Sequence, residues 1–91
     1  SRAPVVDSVT LVSADGVTAT VVVNLSDPGS GGALVYAYNT DGGVAPTAGW
    51  QSSSTFVFPF AELSTGRHFW ARRGNVPSDA AVFYALPPPV E

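Results

Sequence analysis

The stretch Ser64–Asn75, STGRHFWARRGN, gathers the side chains best suited to chemistry: the only histidine, His68, one of two tryptophans, Trp70, and three of four arginines, Arg67, Arg72 and Arg73. An imidazole can act as base or metal ligand, a guanidinium grips anions, and an indole offers an apolar face with one N–H donor. The acids available to work with them are Asp7, Asp15, Asp27, Asp41, Glu62, Asp79 and Glu91. Nearly all occupy turn positions, where Asp is favoured because its carboxylate bonds nearby backbone N–H groups. No Gly-x-Ser-x-Gly motif surrounds a serine, so a nucleophile, base and acid set has no support. Zinc requires His or Cys clusters, and no Asp-x-Asp-x-Asp-Gly loop marks calcium. Asp15 and Asp41 are expected at one pole and Asp27 and Asp79 at the other. The run GSGG at 29–32 lacks the Lys-Ser or Lys-Thr and the helix of a phosphate cradle, and reads as a loop. The residues therefore predict no catalytic set, no cofactor site and no metal site.

The elements that must carry this stretch follow from the rest of the chain. The 91 residues suffice for one domain with a real core, and 45% hydrophobic against 12% charged residues argues against disorder. A net charge of −3 with no lysine gives no electrostatic case for nucleic acid. Without cysteine there is neither a disulfide framework nor a thiolate site. No apolar run of about 18 residues predicts membrane insertion. Ser1–Val9 lacks signal-peptide architecture, consistent with an excised piece of a longer protein. Pro87-Pro88-Pro89 favours a stiff, extended conformation, so residues 1–86 read as the domain and 87–91 as a Pro-rich linker or tail; a proline-rich ligand for a peptide-binding domain is the alternative.

Within the domain, Val17–Leu25 alternates with period two: Val17, Ala19, Val21, Val23 and Leu25 lie on one side, Thr18, Thr20, Val22 and Asn24 on the other. Val5–Ser13 is β-branched, and Asp15-Gly16 between the two runs predicts an antiparallel hairpin. Ser26–Gly32 is a loop, Ala33–Thr40 an extended segment, and Val44–Ser54 turn-rich with Trp50 its one large apolar group. Thr55–Phe60 reads as a short strand with Phe56, Phe58 and Phe60 alternating, and Pro59 places it at an edge or at its end. Gly66–Gly74 and Ala80–Leu86 read as the last strands, joined by a loop around NVPSD. About seven short strands with turn signals every eight to twelve residues, and no helical period, predict an all-β fold: an antiparallel β-sandwich of two sheets.

From Tyr38 to Phe83 the chain resembles a bacterial immunoglobulin-like domain of secreted and surface multidomain proteins. The resemblance rests on Tyr38, Asp41-Gly42-Gly43, Trp50, Ser53, Phe56, Phe58, Leu63, Gly66, His68, Trp70, Arg73, Gly74-Asn75, Ala81 and Phe83. The strand after His68 departs from the family pattern by being shorter, and Arg72 stands where an apolar residue is expected. A fibronectin type III domain is the neighbouring resemblance, through Leu63, Gly66 and Phe69, though Phe lacks the hydroxyl of that fold's corner. The resemblance implies an immunoglobulin-like accessory module, non-catalytic, acting as spacer, structural or adhesion domain in a secreted, cell-surface or virion-associated protein of bacterial or phage origin. Its partners would be neighbouring domains.

Alternation along Arg67–Arg73 puts either His68, Trp70 and Arg72 or Phe69, Ala71 and Arg73 toward the core, and a slip of one residue exchanges the sets. The resemblance favours His68 and Trp70 inside; polarity favours the other set. With Trp70 outside, the row of His68, Trp70 and Arg72 near Tyr36 of VYAY, with Trp50 as a further aromatic, forms a candidate ligand-binding face for polysaccharide. Trp50 has a second reading as cover for one sandwich edge. Self-association through an apolar patch is the remaining alternative, made possible by the low charge.

Overall fold

The computed structural model describes residues 1–78 and 81–87. Its elements are β1 (Val5–Ala14), β2 (Thr18–Asp27), β3 (Leu34–Asn39), β4 (Thr55–Pro59), α1 (Phe60–Ser64), β5 (Arg67–Arg73), β6 (Val76–Pro77) and β7 (Val82–Tyr84). The strands form two antiparallel sheets. One has the order β1-β2-β4; in the other, β3 lies on one side of β5, with β6 and β7 end to end on its other side. The β1–β2 hairpin forms as its sequence predicts. Gly16 takes φ 87°, a region costly for other residues, and Asp15 Oδ1 accepts the N–H groups of Val17 at 2.9 Å and Thr18 at 2.7 Å.

The sheets face each other through alternate residues. Ala19, Val21 and Val23 of β2 and Phe56 and Phe58 of β4 meet Tyr36 of β3 and Phe69 and Ala71 of β5, with Leu63 and Leu86 joining the same buried cluster. The aromatic rings meet edge to face: Phe58 and Phe69 are 6.0 Å apart at 87°, and Tyr38 and Phe58 are 4.7 Å apart at 66°. Each fully buried large side chain contributes about 1.5–3 kcal/mol of transfer free energy, so this layer is the main source of stability.

The register of β5, left open by alternation, is the one that polarity favours: Phe69 and Ala71 face the layer between the sheets, and the placement of His68 and Trp70 there that the resemblance favours is corrected. β4 is an edge strand that ends at Pro59, whose ring nitrogen faces the free edge and costs the β2 ladder no bond; Phe60, expected in the strand, still donates its N–H to Val17 O at 2.8 Å but opens a short helix that the lack of a helical period did not predict. Gly66, at φ 88°, ends that corner with its N–H on Leu63 O at 3.0 Å. Finally, Val76 and Pro77, expected in a loop, pair with Arg73 and Arg72 as β6. Of the linker reading over 87–91, all but Pro87 lies outside the described residues, as do Asp79 and Glu91. Among the described residues no helix is long and apolar enough to cross a membrane.

The sandwich has two distinct poles. At one, the Asp27–Gly32 loop receives the first residues: Arg2 N–H donates to Ser30 O at 2.7 Å, Ser30 N–H returns to Arg2 O at 3.1 Å, and Arg2 pairs with the Asp27 carboxylate. At the other lie the Asp15-Gly16 turn, α1 and Leu86, whose N–H reaches Leu63 O at 3.3 Å. The body measures 46 × 22 × 20 Å.

Candidate functional site

The outward face of the second sheet carries His68, Trp70 and Arg72 from β5 beside Asn39, Ala37 and Val35 of β3. It is not an open face. The β3–β4 connection, residues 40–54, folds back over it. Gln51 pairs with Tyr36 at the free edge of β3, exchanging N–H to O bonds of 2.7 and 2.8 Å. Gly42 lies against the His68 ring, and the Trp50 ring lies 4.3 Å from the Arg72 guanidinium carbon. Trp70, between these two contacts along the strand, is only 4% exposed.

Polar groups fix the arrangement. The Trp70 indole N–H donates to Asn39 Oδ1 at 2.9 Å, and the same amide donates through Nδ2 to Val44 O at 2.7 Å, so one side chain ties β5 to the covering loop. Trp50 donates to Pro46 O at 3.1 Å within its own loop. The His68 ring lies against Phe83 at a tilt of 59°, centroids 5.0 Å apart, and among the described residues its buried Nδ1 has no hydrogen-bond partner, nor has Arg72 Nε.

The arginines of Ser64–Asn75 do not converge. Arg67 clamps the corner after α1: Nη1 donates to Thr65 Oγ1 at 2.9 Å and Gly66 O at 2.8 Å, and Nη2 lies 3.2 Å from Glu62 Oε1. Arg73 holds the Gly-rich loop at the opposite end of β5, donating from Nε to Pro28 O at 2.8 Å and from Nη1 to Gly32 O at 3.2 Å. Arg72 stacks on Trp50, a contact worth about 0.5–1 kcal/mol where partly exposed. Each cation answers a local carbonyl, carboxylate or ring, so the stretch supplies no common anion cradle.

The expected ligand face is corrected accordingly. Tyr36 points between the sheets, is 8% exposed and belongs to the core, because its partner across the ladder is Ala71 rather than Trp70. Trp70 is outward-facing yet covered, and cannot stack on a sugar without displacing the loop. His68, Arg72 and Trp50 are brought together with it, each half-buried. Among the described residues no group of three or more His, Asp or Glu side chains gathers to hold a metal.

What remains open lies beside this face. Tyr38, Asn39, Asp41 and the run Val44–Ala48 line a shallow groove of about 390 Å³ along the end of β3. Asp41 Oδ1 accepts the Gly43 N–H at 2.8 Å, which sets the turn that forms one wall. Sequence reading missed two residues that organise the region, Gln51 and Asn39. Beyond the Tyr36 pairing, the Gln51 side-chain amide donates to Ser53 O and Thr55 O, both at 2.8 Å, and so ties the edge of β3 to the start of β4 in the opposite sheet. A glutamine beside a tryptophan in an irregular segment was the available signal. Compared with known families, curated proteins and solved structures, the chain matches none.

Proposed function

We propose that this chain is a non-catalytic, immunoglobulin-like spacer module that holds neighbouring domains apart in a secreted, cell-surface or virion-associated protein. The observation that carries this reading is the placement of Ser1 and Leu86 at opposite poles of a 46 Å body. Ser1 lies against Gly31 and Gly74, while Leu86 binds beside Leu63 at the other end of β5. A chain that enters at one pole and leaves at the other adds the module's full length to whatever it connects.

Two further features support the reading. The pairing β1-β2-β4 facing a sheet in which β5 lies between β3 and the pair β6 and β7 is compatible with the order of an immunoglobulin-type sandwich, although the fourth strand of its first sheet is absent among the described residues and β6 is additional. The residues richest in chemical potential, His68, Trp70 and the arginines, are engaged in packing and local bonds, as a load-carrying spacer requires and an active centre does not. The mechanism is mechanical: a sandwich of interlocked apolar faces keeps its shape, and both ends are tied to the body by main-chain bonds.

Small-angle X-ray scattering on two copies joined in tandem by their own sequence tests it. The expected particle is rod-like, with a longest dimension about twice the 46 Å of one module. A side-by-side, compact particle would remove the basis for a spacer.

A further inference from the structure

We propose that the groove between the β3 edge at Tyr38 and the Asp41–Ala48 loop binds one unit of a neutral glycan. The inference is independent of the spacer reading, and a module could do both. It starts from the main chain. In an antiparallel ladder the N–H and C=O of one residue point to the same side, and the side alternates along the strand. Tyr36 directs both groups to Gln51 at the free edge, so Tyr38, two residues on, directs both to the same edge, beyond the point that Gln51 covers. No hydrogen bond among the described residues takes them. Tyr38 also contributes its side chain, which is 38% exposed although the ring packs against Phe56 and Phe58.

The rest of the groove supplies complementary groups. Asp41 uses Oδ1 for the Gly43 N–H, which leaves Oδ2 for a ligand, and Thr47 adds a hydroxyl. Val44, Ala45, Pro46 and Ala48 give an apolar wall. Asn39 is already committed on both amide atoms and fixes the wall instead of meeting a ligand. Main-chain and hydroxyl donors, several acceptors and an apolar wall within about 390 Å³ sit near the small end of ligand sites, which run from roughly 300 to 1,000 Å³.

Strand addition by a peptide depends on a series of main-chain bonds, and here Gln51 holds the edge at Tyr36 while β3 ends at Asn39. On the groove side of Gln51, only the Tyr38 pair is free among the described residues. A sugar ring suits such a site better, because each hydroxyl both donates and accepts and its C–H faces match an apolar wall. Asp41 is the one charged residue in the lining, so acidic sugars are repelled and neutral ones admitted.

Amide NMR spectra of the full chain, titrated separately with cellobiose, maltose, lactose and diacetylchitobiose, test the proposal, with digalacturonate as an acidic control. At least one neutral disaccharide is expected to give saturable shifts at Tyr38 and across 41–48, and digalacturonate none. Asp41→Asn, which keeps an acceptor for Gly43, and Ala48→Trp, at an exposed position, are each expected to weaken the response about tenfold or more. The proposal is overturned if no neutral disaccharide shifts these amides, if the shifts persist unchanged in folded Ala48→Trp protein, or if they centre on Trp50 and Arg72. Shifts in the groove that follow protein concentration alone would assign it to a second copy and also overturn the proposal.

Discussion

Gly42 is in such close contact with His68 that a Cβ built there would stand 2.6 Å from Cε1 and 2.7 Å from Nδ1 of the ring. Its backbone is outside the left-handed region, so the penalty for alanine is steric rather than conformational. Gly42→Ala is expected to lower stability by about 1–3 kcal/mol, as overpacking does. Most of that loss should vanish in a His68→Ala background; urea melts of the two single variants and the double variant measure the coupling. Strictly additive losses would mean that the loop does not rest on the imidazole. The sequence made His68, Trp70 and Arg72 conspicuous by type, yet could not say what lay above them. That depended on Gly42 and Trp50, which come from an irregular segment and meet β5 only in the folded molecule.

Among the elements, legibility followed the difference between a strand's two sides. β2 and β4 each have one face in the core and one toward solvent, so Ala19, Val21 and Val23, and Phe56 and Phe58, were readable from alternation alone. β5 is covered on both faces: Phe69 and Ala71 by the opposite sheet, Trp70 by the β3–β4 connection. A period of two carries no information when both phases are buried, which is why its register stayed open in the sequence. The connection itself depends on Gln51. Gln51→Ala removes both amide bonds to the β4 side, leaving two carbonyls to find other partners, and is expected to cost about 1–3 kcal/mol in a thermal or urea melt. An unchanged midpoint would show that the cross-sheet tie is dispensable. The hairpin turn adds a pH dependence. The Thr18 N–H, then that of Val17, holds the Asp15 carboxyl below its usual range, and the Arg2 hydrogen bond does the same for Asp27. A depressed carboxyl stabilises the fold above its unfolded pKa and loses that effect as pH falls through the folded value. The thermal midpoint should therefore drop on acidification below about pH 5, and drop less in Asp15→Asn, Asp27→Asn protein. An identical slope in wild type and double variant would exclude these two groups as the source.

At the scale of the whole molecule, β1 leaves the body at one pole and β7 leads out at the other, on opposite sheets. If the two ends are pulled apart, β1 is dragged lengthwise along β2. The rungs between Val5–Asp27 and Ala14–Ala19 are then loaded side by side and at once, not opened one after another as in a zipper. Single-molecule stretching through the two ends should give one high-force rupture, while pulling the start of β1 away from the end of β2, between Val5 and Asp27 at one pole, opens the rungs in turn and should yield at markedly lower force. The direction of tension, more than the sum of contacts, would then set how long this sandwich survives under load.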